Sequence, residues 1–221
     1  MNITDAIKQR HSTRAFLDKA ISHDQIERIL TLASQSPSGA NTQPWQVAVV
    51  TGETKIKLQQ QLEQAFYSNT PSQIDYQYYP VKWKPVYKQR RHQCGIQLYQ
   101  ALNIARDDSD ARKQQWAANY RAFDAPVMLL FFIDASMETG SFLDYGMFLQ
   151  SLMLAAMEEG LATCPQAALA EYPNIVKSIL GYSDDRLVLC GMALGYEDLQ
   201  AKVNNYRTPR ETTSTFTNFF N

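Results

Sequence analysis

Phe142-Leu143-Asp144-Tyr145-Gly146-Met147-Phe148-Leu149-Gln150, running on to Glu159 and stopped by Gly160, is the stretch on which the fold turns. It is apolar nearly all round, interrupted by Gln150 and Ser151 and bounded by Asp144 and Glu158. A helix of that composition belongs at the centre of a core or in an interface, and a glycine just past its last turn is a common stop. Buried strands are predicted on either side. Val127-Met128-Leu129-Leu130-Phe131-Phe132-Ile133 precedes it, and Leu187-Val188-Leu189-Cys190-Gly191-Met192-Ala193-Leu194, closed by Gly195, follows. Such short apolar runs bounded by turn residues suit strands covered on both faces.

Working outward, Gln46 to Thr51 reads as a third strand, and helices are predicted over Thr4–Gln9, from Ser22 to about Ser36, and over Lys55–Phe66. Ser22 and Gln25 form a capping box, with Ile26, Ile29, Leu30 and Ala33 at helical spacing behind it. Pro37 and Gly39 end that helix, placing Pro37 to Trp45 on a helix-to-strand loop. Ser68 to Arg91 is a long irregular stretch rich in aromatics (Tyr76, Tyr78, Tyr79, Trp83, Tyr87), and loops of that length are usually functional or disordered. Further helices are expected over His92–Ile104, Asp110–Arg121 and Tyr172–Leu180. Few strands separated by helices, with no repeat or linker, predict one α+β domain over residues 1–221.

At 221 residues such a chain can bury about 70% of its unfolded surface. Twenty-one basic against 22 acidic side chains leave no field that would favour nucleic acid or an anionic membrane, so an anion site has to be local. Cys94, Cys164 and Cys190 are odd in number and show no metal-ligand spacing, which argues against a disulfide framework or a zinc site. No signal peptide and no stretch of about 18 apolar residues is present, and a cytoplasmic location with reduced thiols is expected. His11, His23 and His92 lack metal spacing or a triad partner. A G-x-G-x-x-G fingerprint is missing.

Three separated stretches carry chemistry. Arg10-His11-Ser12-Thr13-Arg14 brings two guanidiniums and short hydroxyls together, and arginine's planar fork suits phosphate. Alone, the pair also fits a solvated helix end. Pro37-Ser38-Gly39-Ala40-Asn41-Thr42-Gln43-Pro44-Trp45 offers small side chains and backbone that a ligand can approach closely, although a plain turn would look the same. Cys164-Pro165-Gln166-Ala167-Ala168 follows the apolar helix, and Arg207 and Arg210 lie in the closing segment.

In order and spacing these stretches resemble the flavin-binding motifs of the nitroreductase family. The resemblance covers nearly the whole chain and includes the Phe142–Gln150 helix and the Gly191–Gly195 strand end. Tyr79-Pro80 and Tyr87-x-x-Arg90-Arg91 are similar to nitrobenzoate- and dinitroaromatic-reducing members. It implies a nitroreductase-like fold: a mostly antiparallel central sheet flanked by helices, with a long central dimer helix. It also implies a homodimer with FMN at the subunit interface.

The cofactor-binding residues that carry over are Arg10, His11, Ser12, Arg14, Pro37, Ser38, Gly39, Asn41, Pro165, Gln166, Ala167 and Arg210. Of these, Arg10, Ser12 and Arg210 would hold the phosphate and Arg14 the pyrimidine edge. The Ala167 N–H would face flavin N5, and Pro37 to Asn41 would reach the partner's FMN. NAD(P)H would reduce the flavin and a nitroaromatic or quinone would reoxidise it, with no metal and no catalytic side chain. Residues 68–91 depart from the enteric members, so no pyrimidine contact is assigned there; the segment is expected to be a substrate lid. An enone reductase, a dehalogenase, a flavin-cleaving enzyme and a non-catalytic flavin-binding protein stay open.

Overall fold

Residues 1–220 are described by the computed structural model. Four strands form one sheet: β1 (Gln46–Val50), β2 (Val127–Asp134), β3 (Ala162–Gln166) and β4 (Arg186–Gly195), in the order β1-β2-β4-β3 with every neighbouring pair antiparallel. Helices cover both faces: α1 (Ile3–Gln9), α2 (His23–Ala33), α3 (Gly52–Tyr67), α4 (Pro85–Ala101), α5 (Ser109–Ala117), α6 (Thr139–Glu158), α7 (Pro173–Leu180) and the single turn α8 (Thr213–Phe216). The α+β expectation holds.

Side-chain alternation explains the two cores. Along β2, Met128, Leu130 and Phe132 point to the face holding Leu58 and Leu62 of α3 and Val176 of α7. Val127, Leu129, Phe131 and Ile133 point to the other, with Ile26 and Ile29 of α2 and Tyr145, Phe148 and Leu152 of α6. The central strand is thus apolar without a break because both faces are covered.

In β4 the phase changes. Phe131 pairs with Cys190 but Phe132 with Val188, leaving Leu189 as the extra residue of a bulge. The insertion lets even-numbered Val188 and odd-numbered Ala193 serve the same core. It also frees backbone groups, and the long loop takes them: Val188 N–H donates to the Asp75 carboxylate (2.8 Å) and the Tyr76 hydroxyl donates to Leu189 C=O (2.6 Å). Asp75 is held in turn by buried Lys177 at 3.3 Å.

Three expectations need correction. The irregular stretch is shorter than 68–91, because Pro85 occupies the first turn of α4, where its missing N–H costs nothing. Helix α5 stops at Ala117, and the chain then turns through Ala122, Phe123 and Asp124, all at positive φ. The fourth strand, β3, contains Pro165, a residue that reads as a breaker and is tolerated here because β3 is an edge. The predicted capping box of α2 is present, and α6 ends at Gly160 in the left-handed region (φ 71°).

Gly191 sits where β4 meets the turn that follows β3; a Cβ there would come within 2.8 Å of the Leu169 Cβ and 3.0 Å of the Leu129 carbonyl oxygen. Gly191→Ala is therefore expected to lower unfolding free energy by about 1–3 kcal/mol through overpacking, read as a lower urea midpoint. An unchanged midpoint would contradict this packing.

Candidate functional site

Edge strand β3 is the foundation of the site. Ser12 bridges Thr163 in parallel, and Thr13 N–H donates to the Thr163 carbonyl at 3.0 Å, so the Arg10–Arg14 stretch lies along that edge. Thr13 is fully buried while its neighbours are only partly so, as alternation in an extended segment requires. The Cys164 thiol faces the Pro165 carbonyl (3.9 Å), and burial pushes its pKa up. That thiol is a packing group, and Cys190, pushed up to about 12 by burial, is another.

Arg14 is fixed from the C-terminal segment. Its N–H donates to Asn204 Oδ1 (2.8 Å), and its Nη1 donates to the Tyr206 hydroxyl (3.1 Å) and the Ser12 carbonyl (3.2 Å). Asn204 is buried and donates to Ala15 C=O (2.9 Å) and Asp198 C=O (3.0 Å). Neither Asn204 nor Tyr206 stood out in the sequence as an Arg14 partner. An asparagine in a polar tail carries no signal until its burial is known.

Burial first, and then the nearby positive charge of Arg210, hold the Arg10 guanidinium below its ordinary pKa. Arg210 itself is exposed and donates to the Thr208 hydroxyl (2.9 Å) and carbonyl (3.0 Å). Among the described residues neither Arg10 nor Arg210 has a carboxylate partner. Two guanidiniums from opposite ends of the chain that feel each other's charge, neither with an acid partner, have the chemistry to take an oxyanion. Arg207 instead donates to the Asn204 and Tyr206 carbonyls.

A cleft of about 910 Å³ is lined by Arg14 but not by Arg10, Ser12 or Arg210; its size suits a cofactor or a drug-sized molecule. Arg14 and Pro165, Gln166, Ala167 and Ala168 form one wall, and residues of α4 and α5 form the other. Gln166 is buried; its Nε2 donates to Asn119 C=O (2.8 Å) and Oδ1 (3.2 Å), while its Oε1 has no partner. A buried unpaired acceptor beside a cleft asks for an N–H from a ligand. Glu171, also lining the cleft, accepts from the buried Tyr120 hydroxyl, and burial raises its pKa. The sequence reading missed the α4–α5 wall, because a surface helix with no apolar face carries no periodic signal.

Two predicted groups lie elsewhere. Both ring nitrogens of His11 face oxygens, Glu197 Oε1 at 2.8 Å and Gln9 C=O at 3.0 Å, so its side chain ties the motif to the second residue past β4. Pro37, Ser38, Gly39 and Asn41 do not line the cleft. Their loop packs on the first half of α6, where Gly39 N–H donates to the Asp144 carboxylate (3.2 Å), and it is tightly wound, with Ala40, Asn41 and Gln43 at positive φ. Helix α1 meets α6 at the other end, through the Met1 ammonium and Glu158 (2.8 Å). Asp144 and Glu158 are separated by about 21 Å of helix.

Residues 7–196 match the sequence model of the Nitroreductase family. A 4-nitrobenzoate reductase of Pseudomonas putida is 39% identical, over 96% of this chain and 93% of its own length. A chloronitrobenzene nitroreductase of Comamonas testosteroni is 36% identical, over 98% and 96%. Among solved structures, the FMN and NADPH-dependent nitroreductase NfnB of sphigopyxis sp. strain HMH superposes with a TM-score of 0.96 at 37% identity, covering 100% of both chains. The FMN-dependent NfnB of Mycobacterium smegmatis, in complex with NADPH, gives 0.93 at 34%, covering 99% and 97%. A fold, a cleft and a full-length likeness that agree to this degree place the chain in the nitroreductase family.

Proposed function

We propose that this protein is an FMN-dependent NAD(P)H oxidoreductase that reduces nitroaromatics or related electron-poor acceptors, working as one FMN-binding domain over residues 1–221. The observation that carries the reading is a cleft lined by Arg14 and Pro165 to Ala167 in which the buried Gln166 Oε1 has no partner, joined by Arg10 and Arg210, two arginines without a carboxylate partner that lie outside its lining. That donor set fits FMN. The two arginines and Ser12 suit its phosphate, Arg14 and Gln166 suit the polar edge of its ring, and Pro165 to Ala167 suit the ring face. Full-length likeness to FMN- and NADPH-dependent enzymes supports the same assignment.

FMN, when bound, supplies a ring that accepts hydride from NAD(P)H at N5 and delivers electrons to the acceptor in a second half-reaction. The chain's own contribution is to position and polarise. Arg14, locked by Asn204 and Tyr206, puts a fixed positive charge where negative charge accumulates on reduction. The Ala167 backbone N–H offers a donor toward the hydride-accepting edge. The loop from Ser68 to Lys84 is anchored to β4 through Asp75 and Tyr76 and contributes Tyr79 to the cleft lining, which suits it to cover an acceptor. The dehalogenase, enone reductase, flavin-cleaving and carrier readings are not favoured by the nitroreductase names of the full-length relatives.

A homodimer follows from two observations. On α6, Leu143 (75% exposed) and Met147 (40%) are apolar and open, and with Gln150, Leu154 and Met157 they make a stripe at alternating four- and three-residue spacing. The Pro37–Asn41 loop lies off its own cleft at the start of this helix. Pairing two α6 stripes would bury the apolar face and offer each loop to the partner's cofactor. No helix among the described residues is long and apolar enough to cross a membrane, and a cytoplasmic location is part of this proposal.

The purified protein should be yellow, and anaerobic NADPH should bleach the flavin band, with a nitroarene restoring it. Colourless protein that takes up no FMN would end the reading. Arg10→Ala combined with Arg210→Ala should weaken FMN binding by more than tenfold, about 1.4 kcal/mol, measured by fluorescence titration. For the dimer, co-expressing that variant with Ser38→Ala/Asn41→Ala should produce heterodimers with one intact site. FMN content should then exceed that of either homodimer; if it does not, the loop serves its own subunit.

A further inference from the structure

The α4–α5 wall carries an electrostatic feature that cofactor binding leaves unused. Besides Arg14, the cations lining the cleft are Lys88 and Arg91 from α4, Arg106 from the connection and Arg112 from α5, against Glu171 as the sole carboxylate in that lining. Four arginines elsewhere are neutralised: Arg28 by Glu159, Arg90 by Glu211, Arg121 by Glu63 and Asp124, Arg186 by Asp134 and Asp185. None of the four wall cations has such a partner among the described residues.

Two of them, Arg91 and Arg112, lie against ring faces instead. The Arg91 guanidinium lies 5.2 Å from the Trp83 ring and 5.8 Å from that of Tyr79. That of Arg112 lies 4.8 Å from Tyr99, with Nη1 donating to Arg106 C=O at 3.1 Å. Stacking on an aromatic face orients a guanidinium without cancelling its charge and leaves in-plane N–H groups free for an oxyanion. Arg14 and Pro165–Ala167 line the same cleft.

We propose that Arg91 and Arg112 are specificity-determining residues that take the carboxylate of an anionic nitroarene, so that the enzyme prefers carboxylated acceptors to neutral ones. This rests on the flavin-dependent reading above. A carboxylate gripped at the α4–α5 wall would leave the far end of a flat ring directed toward the Pro165–Ala167 wall, where the cofactor is proposed to lie. Neutral arenes would keep the stacking but lose the charge-assisted bonds.

The test compares kcat/KM for 4-nitrobenzoate and for its neutral methyl ester in the FMN-loaded wild type, in Arg91→Gln, in Arg112→Gln and in the double variant. The wild type should prefer the acid, and raising the ionic strength should erode that preference. In the double variant the acid-to-ester ratio should fall about tenfold or more, chiefly through KM, and Arg91→Lys should recover part of the loss. A ratio within twofold of wild type in the double variant overturns the proposal. So does a change confined to the KM for NADPH, which would give these arginines to the donor's phosphates. Anaerobic bleaching by NADPH is recorded on the same samples: bleaching without charge preference sinks this inference alone, whereas no FMN or no bleaching removes the reading beneath it as well.

Discussion

A single hydrogen bond at the edge of the sheet, from Thr13 N–H to the Thr163 carbonyl, sets the geometry on which the candidate site depends. β3 is an edge strand, and an edge presents a row of unpaired backbone groups. Here that row is covered by the segment that carries Arg10 and Arg14, so closing the edge and assembling the anion site are one event. Because Thr13 is fully buried, the segment cannot slide by one residue without turning its polar neighbours into the core. The C-terminal segment completes the arrangement from the far end of the sequence. Asn204 bonds the backbone on both sides of the Arg14–Ala15 peptide, and Arg210 arrives beside Arg10.

A second constraint fixes the other side of the cleft. The bulge in β4 keeps residues on both sides of Leu189 facing their proper cores, at the cost of unpaired backbone groups. Asp75 and Tyr76 satisfy those groups, and buried Lys177 neutralises Asp75. The start of the aromatic loop is therefore anchored to the centre of the sheet, while Val81, 86% exposed, marks how open its remainder is. A loop with a rigid root and an open tip can adapt to an acceptor without losing its place over the cleft.

The parts legible in the sequence were those whose signal is local. The runs of β2 and β4, the capping box at Ser22 and the glycine stops at Gly160 and Gly181 are properties of a few adjacent residues, and each appears where its neighbours predict. β3 escaped because its proline argues against a strand unless one knows that it lies at an edge. The start of α4 at Pro85 was obscured by aromatics that read as loop, and α4 has no buried residue to supply a period. Within the candidate site, Arg10, Arg14, Pro165–Ala167 and Arg210 were readable as motifs, whereas Asn204 and Tyr206 act through a partner distant in sequence, and Arg91 and Arg112 sit among aromatics and helix residues with no motif to mark them. The Pro37–Asn41 loop was legible as a motif but not as a location.

The charge distribution joins these observations. The chain as a whole is nearly neutral, at −1, so its cations are concentrated at the cleft by placement rather than by excess. Holding like charges together costs folding free energy, and a carboxylate beside each would relieve it most directly. It would also neutralise the site. The structure uses neutral groups instead: the Tyr206 hydroxyl and the Ser12 carbonyl for Arg14, aromatic faces and a carbonyl for Arg91 and Arg112. Each fixes the position of a guanidinium while leaving its field intact. Because the repulsion that remains is relieved only by an anion, ligand binding and fold stability are coupled through these same arginines. A fold built in this way holds binding energy for an anion in reserve at the cleft.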